Sequence, residues 1–164
     1  MQISTQQIWK IYLDTCCLSR FFDDQTQTRI RRETEAIDTI LENFRSERWK
    51  WIVSKVLEIE VGRNLNFAQY LRVKSLLTRA NQTVPLTETE KSRGFVLESL
   101  GFKPFDALHI ASAESGAADI LLTTDDRFMR KAKRISTQLQ VRVENPYIWL
   151  QEVIRNGHRQ NDRP

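Results

Sequence analysis

Acidic residues follow two apolar segments of this chain, at positions where an α/β protein gathers its ligands. Asp14 comes directly after a short apolar run that starts at Trp9, and Asp125 and Asp126 come directly after the apolar segment 119–124. In open parallel sheets, ligands bind beyond the carboxyl ends of the strands. If both segments are strands of one parallel sheet, they bring these carboxylates to the same edge.

Two further acids belong to predicted helices beside those segments. Asp106 lies in the first turn of one helix, and Glu60 lies in the helix that follows the second predicted strand. Each acid taken singly has an ordinary structural explanation, because aspartate caps turns after strands and complements the dipole in the first turn of a helix. The chemistry becomes specific only if these two acids and the two strand-end acids converge.

A convergent set of four carboxylates needs positive charge or protons to neutralise it. Like charges about 4 Å apart repel by about 4 kcal/mol per pair at an effective dielectric constant of about 20. A fold with roughly 5–15 kcal/mol of net stability cannot hold such a cluster idly. Because every ligand would be a carboxylate oxygen, the set favours Mg²⁺ or Mn²⁺.

The remaining candidate residues have competing interpretations. His109 follows Asp106 by three residues and shares its helix face. It can orient a carboxylate or a bound water, or it can be a hydrogen-bonded packing histidine. Asp23 and Asp24 have the pattern of solvated loop acids, and His158 belongs to the polar C-terminal segment.

Short apolar strands alternate with amphipathic helices along the chain, and this order must position the acids. Strands are predicted at 9–14, 49–54, 83–86, 119–124 and 141–143, and helices at 29–44, 54–64, 67–80, 87–100, 105–116, 126–134 and 146–156. Ser54 and Thr87 are expected to cap helices, and Gly101 is expected to end one. The strands lack polar alternation, which is typical of a parallel sheet covered on both faces. We therefore expect a three-layer α/β sandwich, a short parallel sheet flanked by helices.

The composition fits one globular domain. The chain has 164 residues, 40% of them hydrophobic, and a net charge of +4. We expect a single domain over residues 1–155, with a short polar lead at 1–8 and a disordered tail at 156–164. No segment resembles a signal peptide or a membrane span, so a cytoplasmic location is expected. Cys16 and Cys17 are neighbours and are expected to be small buried side chains in a reducing compartment.

Four segments of the chain contain the candidate acids, namely YLDTC (12–16), SKVLEIEV (54–61), KPFDALHIASAE (103–114) and ADILLTTDDRF (118–128). Together they resemble the acidic motifs of PIN-domain ribonucleases, most closely those of the VapC toxins of type II toxin–antitoxin systems. The combination of the last two segments is the specific signal, whereas YLDT alone is a weak one. The resemblance extends from about Ile11 to Val143.

The resemblance assigns the four acids of the family to Asp14, Glu60, Asp106 and Asp125. The second motif fits Glu60 better than Glu58, but both glutamates are present and the choice stays open. Asp126 is an extra acid beside the fourth motif and can take a secondary share of metal binding. The resemblance implies that the aspartates hold one or two Mg²⁺ ions, which Mn²⁺ can replace, while Glu60 positions the ion or its water.

The resemblance also implies an activity and partners. These are hydrolysis of RNA to products with 5′-phosphate and 3′-hydroxyl ends, a homodimer, inhibition by a small antitoxin protein, and no membrane association. The acidic site would repel RNA, so basic residues must bind it. For the cluster of Arg29, Arg31 and Arg32 we expect a solvated helix face, whereas the basic helix 126–134 fits phosphate steering and a solvated face equally well.

Apolar residues of the helices 54–64 and 67–80 exceed what one face of a small sheet requires. They include Leu65, Phe67, Tyr70 and Leu71. An exposed apolar patch marks an interface, and in a two-fold dimer the same patch serves both subunits.

Other functions fit the sequence less well. A phosphoryl-transfer enzyme of the haloacid-dehalogenase type needs a second aspartate two residues after the first, where this chain has Cys16. A receiver domain would have its acidic pair near the first strand, but the pair here comes late in the chain. The second-ranked alternative is a catalytically weak PIN-like module that binds RNA or serves as a scaffold, for which loss of an acid would be the sign.

Overall fold

The computed structural model describes residues 7–161 and contains a sheet of five parallel strands. The strands are β1 (Lys10–Leu13), β2 (Lys50–Ser54), β3 (Gln82–Val84), β4 (Ile120–Leu122) and β5 (Arg142–Glu144). The α-helices are α1 (Thr15–Ser19), α2 (Thr28–Arg45), α3 (Lys55–Val61), α4 (Phe67–Leu77), α5 (Glu88–Ser99), α6 (Pro104–Ser115), α7 (Asp126–Arg134) and α8 (Pro146–Asn161).

The winding of the sheet reverses at its central strand. The strand order is β3-β2-β1-β4-β5, so the chain winds from β1 to β3 and then crosses back to place β4 on the other side of β1. In the register of this central pair, Leu13 lies beside Leu122. Ligand sites in such sheets form at the carboxyl ends of the strands where the winding reverses. The residues that follow Leu13 and Leu122 therefore occupy the favoured position.

Alternate side chains of the strands enter two hydrophobic cores, one on each face of the sheet. Ile11 and Leu13 pack with residues of α2, α3, α4 and α8. Tyr12 points to the opposite face, where it packs with residues of α5, α6 and α7. Both faces are thus covered, which explains why the strands are apolar without alternation. The predicted three-layer α/β sandwich is confirmed.

The capping residues define several helix boundaries as predicted. Ser54 accepts a hydrogen bond from the backbone N–H of Leu57 at the start of α3, and Thr87 forms a capping box with Glu90 at the start of α5. Gly101 has a φ of 99° just after α5, a conformation that favours glycine. By contrast, α1 was not predicted, because its five residues are too few to show a helical repeat.

The C-terminal helix corrects one prediction. We expected disorder over 156–164, but α8 continues to Asn161. A helix that has already packed can extend through exposed residues on its backbone hydrogen bonds alone, and the basic residues His158 and Arg159 in the last turn complement its dipole. Residues 162–164 and most of the predicted lead 1–8, namely 1–6, lie outside the described residues, and the domain limits stay a prediction. Within 7–161, no helix is both long and apolar enough to cross a membrane.

Candidate active site

Asp14 leaves the central strand β1 and caps the short helix α1. One carboxylate oxygen, Oδ1, accepts a hydrogen bond from the Thr15 backbone N–H at 2.7 Å. The other, Oδ2, accepts from the Thr123 hydroxyl at 2.9 Å and from the Cys16 thiol at 3.2 Å. Asp14 is only 5% exposed. The turn between β1 and α1 therefore holds a buried carboxylate in a fixed orientation.

Thr123 joins the ends of the two central strands. Its hydroxyl oxygen accepts a hydrogen bond from the Asp125 backbone N–H at 3.1 Å, while the hydroxyl proton goes to Asp14. The Asp125 side chain caps α7 through one oxygen, Oδ1, which accepts from the backbone N–H groups of Arg127 and Phe128. Asp125 can therefore direct its second oxygen to a ligand while the first holds the helix.

A chain of hydrogen bonds runs from Ser54, the N-cap of α3, through Tyr12 and His109 to Glu60 near the end of the same helix. Ser54 Oγ accepts from the Leu57 N–H, and it lies 2.7 Å from the Tyr12 hydroxyl. That hydroxyl lies 2.7 Å from His109 Nδ1, and His109 Nε2 lies 3.1 Å from a Glu60 oxygen. A carboxylate only accepts, so Nε2 carries a proton. In neutral His109 the bonds therefore run from Ser54 through Tyr12 to Nδ1.

The electrostatics of this chain agree with those proton positions. Burial raises the pKa of Tyr12 well above its usual value, so the phenol keeps its proton. Burial opposes a charge on His109, but Asp14 and the hydrogen bond to Glu60 outweigh it and raise the pKa of His109. Burial likewise opposes ionisation of Glu60, yet the hydrogen bond from His109 lowers the pKa of Glu60 overall. His109 therefore keeps Glu60 ionised and oriented.

Asp106, in the first turn of α6, senses the charges of the other acids. Its pKa rises from 3.8 to about 6, first because the carboxyl is partly buried and then because Asp14 and Asp125 are negative. His109 and Lys103 lower it by less. The charges of Asp14 and Asp125 therefore act on Asp106. Among the described residues, however, only Asp14, Glu60 and His109 form a group with ligand atoms within 4.8 Å of one another, so convergence of all four acids stays a prediction.

The donor set fits a divalent cation. One potential ligand atom from each of Asp14, Glu60 and His109 lies within 4.8 Å of the other two. In the described part of the chain, the ion pairs of Asp14 and Glu60 involve only His109. The Thr15 side chain also lies beside Glu60 and contributes to lowering the pKa of that carboxyl. Because Nε2 of His109 carries the proton that Glu60 accepts, the carboxylates of Asp14 and Glu60 are the members of this group that could bind a metal, and His109 orients them.

Two other acids considered from the sequence are placed differently. Glu58 is exposed and pairs with Lys55 at 3.0 Å, whereas Glu60 points to His109. Asp126 pairs with Arg29 at 2.7 Å, through both carboxylate oxygens. The interpretation of Arg29 as part of a solvated helix face is corrected by this pair.

Several side chains that complete the site had little or no signal in the sequence. In the sequence, Thr123 stands out only as part of a motif, and Tyr12 has the pattern of an apolar strand residue. Cys16 was expected to be a small buried hydrophobe, but its thiol contacts Asp14 and Thr123. Alternation along β1 could have indicated that Tyr12 faces α6, but its partner His109 lies 97 residues away.

Family comparison agrees with this geometry. The PIN domain family matches residues 11–134. The chain belongs to the PIN domain family. The match covers β1 through α7 and so includes all four acids assigned from the motifs. A comparison with curated proteins found no match.

Three solved structures share this PIN fold. VapBC-1 from nontypeable Haemophilus influenzae is 16% identical, with a TM-score of 0.51 over 84% of this chain and 98% of that chain. VapBC2 from Rickettsia felis, bound to a DNA fragment from their promoter, is 14% identical, with a TM-score of 0.52 over 83% and 98%. PAE2754 from Pyrobaculum aerophilum is 13% identical, with a TM-score of 0.53 over 93% and 96%. The predicted resemblance to VapC-like PIN domains is confirmed at the level of the fold.

Proposed function

We propose that this PIN domain is a ribonuclease that depends on Mg²⁺ and accepts Mn²⁺ in its place. PIN domains are generally nucleases, and this chain belongs to the family. The observation that carries the proposal is the acidic group beside the end of β1, where ligand atoms of Asp14, Glu60 and His109 lie within 4.8 Å of one another. The charges of Asp14 and Asp125 also help to raise the pKa of Asp106 to about 6. A cation bound between these acids would offset their mutual repulsion, which explains why a fold would keep them together.

Asp14, Asp106 and Asp125 would hold the ion, with Glu60 positioning it or its water. The bound ion would supply a water of lowered pKa and positive charge for the scissile phosphate. Hydrogen bonds within the protein would orient the ligands before the ion binds. Thr123 fixes Asp14, and His109 fixes Glu60. We propose products with 5′-phosphate and 3′-hydroxyl ends.

The RNA would be bound by basic residues beside the acids. Helix α7 begins directly after Asp125 and carries the exposed residues Arg127 and Arg130 in its first turns. Their charges can attract the phosphates that the carboxylates repel. The metal site at the ends of the strands would then bind the scissile phosphate, while α7 would bind the neighbouring phosphates.

We further propose that the protein is a toxin inhibited by a cognate antitoxin in the cytoplasm. Two of the structures with the same fold are VapBC assemblies, one bound to a DNA fragment from their promoter. The VapC-like motifs support the same assignment. Both cysteines are free thiols, in agreement with a reducing compartment.

We also propose a homodimer, formed through an apolar surface beside α3 and α4. Leu65 is fully exposed, and Ile59, Phe67 and Leu71 are 42%, 69% and 47% exposed. The buried residues of the same helices, among them Val73, already belong to the core. The exposed apolar side chains are therefore free to meet a second copy.

An RNA cleavage assay tests the proposed activity. Purified protein is incubated with labelled single-stranded RNA and Mn²⁺, with and without excess chelator. We expect metal-dependent cleavage that Asp106→Asn reduces by at least about a hundredfold, the scale of losing one electrostatic group of an active site. Asp38→Asn, which changes an exposed acid of α2, should cleave like the wild type. Equal rates for folded Asp106→Asn and wild type would contradict the proposal.

A further inference from the structure

We propose that Arg29 is a positioning residue that holds Asp125 in place for the metal. The proposal rests on the function proposed above. Arg29 lies near the start of α2, 96 positions before Asp125 in the chain. In the turn between β4 and α7, it forms hydrogen bonds with the residue before that aspartate and with the residue after it.

One guanidinium group donates three hydrogen bonds to this turn. Arg29 Nη1 and Nη2 each donate to one carboxylate oxygen of Asp126, both at 2.7 Å. Nη2 also donates to the Thr124 backbone carbonyl at 3.2 Å. Thr124 and Asp126 are the residues immediately before and after Asp125. A guanidinium that binds both neighbours restricts the backbone of the residue between them.

The guanidinium is itself anchored on a buried carboxylate. Arg29 Nε donates to Glu33 at 2.6 Å, and Glu33 is only 2% exposed. Glu33 also accepts from Arg20 at 3.2 Å and from the Asn145 side-chain amide at 3.3 Å. Arg20 directly follows α1, the helix that Asp14 caps. One buried carboxylate therefore connects the C-terminal end of α1 to the Asp125 turn.

These contacts exclude two other roles for the pair. Asp126 uses both carboxylate oxygens for Arg29, each at 2.7 Å. It is therefore committed to an ion pair and is not a free metal ligand. The Arg29 nitrogens Nε, Nη1 and Nη2 all donate within the protein, which leaves this side chain poorly placed to hold an RNA phosphate.

We call the hydrogen bonds of Arg29 to Thr124 and Asp126 the clamp. It is tested on the full-length, RNA-free protein with Mn²⁺ as the probe. The variants are Arg29→Gln, Asp126→Asn and the double variant, and calorimetry gives the Mn²⁺ dissociation constant. We expect each single variant to weaken Mn²⁺ binding about tenfold, the lower end for loss of a residue that orients a metal ligand. The double variant should be no weaker than the singles, because both changes break the same contact.

Arg142→Gln is the matched control. Arg142 is 50% exposed, against 51% for Arg29, and its guanidinium likewise contacts both oxygens of one acid, Glu152. It lies at the start of β5, on an outer strand of the sheet. We expect Mn²⁺ affinity in this variant to equal that of the wild type. A general loss of stability on removing a surface arginine would weaken binding in both.

A second readout does not depend on the metal. Amide hydrogen exchange at Asp125, Arg127 and Phe128 reports the hydrogen bonds that hold the turn. We expect exchange there to increase about tenfold in Arg29→Gln and Asp126→Asn without Mn²⁺, and to stay unchanged in the control. Asp126→Asn leaves Glu33 with its three partners, so it remains informative if Arg29→Gln does not fold.

The outcomes separate the clamp from the proposed function. Unchanged Mn²⁺ affinity in Asp126→Asn and Arg29→Gln, with a wild type that binds Mn²⁺, would overturn the clamp. Weaker binding in Asp126→Asn together with tighter binding in Arg29→Gln would also overturn it, because Asp126 would then be a ligand that Arg29 restrains. A wild type that binds no Mn²⁺ would contradict the proposed function, and the exchange rate at Asp125 would then decide the clamp alone.

Discussion

Replacing Asp106 with asparagine should stabilise the metal-free protein at neutral pH. The pKa of Asp106 is about 6 in the folded protein, against 3.8 ordinarily, because of burial and the charges of Asp14 and Asp125. Between those pH values, the folded state keeps a proton that the unfolded chain releases. Stability contributed by Asp106 therefore falls as the pH rises from about 4 to about 6 and stays lost above that range.

The size of the effect follows from the two pKa values. Their difference corresponds to roughly 3 kcal/mol for a fully shielded group. Because Asp106 is partly exposed, screening by water reduces this to about 1–2 kcal/mol. For a domain of this size, the melting temperature should then rise by about 3–6 °C. Asparagine keeps the size of the side chain and removes only the charge.

Thermal unfolding measured by circular dichroism with excess chelator provides the assay. We expect Asp106→Asn to melt about 3–6 °C above the wild type near pH 7.5. The difference should fall to about half near pH 5 and vanish only below about pH 4, where the carboxyl is protonated in the folded and the unfolded chain alike. Asp38→Asn, a change at an exposed carboxylate of α2, should match the wild type at both pH values.

An Asp106→Asn protein that melts at or below the wild-type temperature near pH 7.5 would refute this reasoning. Asp106 would then feel no net repulsion from Asp14 and Asp125. There would then be no repulsion among these carboxylates for a bound cation to neutralise.

Further predictions concern the supports of the site and the assembly. Thr123→Val removes the hydroxyl that joins Asp14 to the Asp125 turn, and it should weaken Mn²⁺ binding about tenfold in calorimetry. Ser54→Ala removes the cap of α3 and should lower the melting temperature by about 2–4 °C; no change would mean that the cap is dispensable. The double change Phe67→Glu and Leu71→Lys should convert the dimer to a monomer in light scattering at tens of micromolar, whereas a wild type that is already monomeric would reject the dimer.

The fold was largely predictable because its strands are short apolar runs separated by capped helices. Each strand of the structure overlaps a predicted one, and the cap at Ser54 and the end of α5 before Gly101 lie where local chemistry places them. The helix α1 was not predictable from periodicity, since it has five residues and depends on the Asp14 cap. The extension of α8 to Asn161 was missed because its last residues have no apolar face.

The candidate site was predictable only where position along a strand or helix decides it. Asp14 and Asp125 follow the two central strands, and that placement follows from the order of elements. The partners across the fold were not predictable. Arg29 and Asp126 are 97 positions apart, and nothing local to either residue indicates their contact. The same holds for His109 and Tyr12, whose hydrogen bond depends on how α6 packs against the sheet.

Stabilisation of the wild type and of Asp14→Asn by Mn²⁺ tests the central claim most directly. Asparagine can keep the helix cap of Asp14, so the variant should fold. At about a hundredfold excess over its dissociation constant, the ion should stabilise the wild type by about 2.7 kcal/mol, which raises the melting temperature by about 5–10 °C. We predict a clearly smaller rise in Asp14→Asn at the same Mn²⁺ concentration. Equal rises in the two proteins would show that the ion binds elsewhere and would contradict the carboxylate metal site.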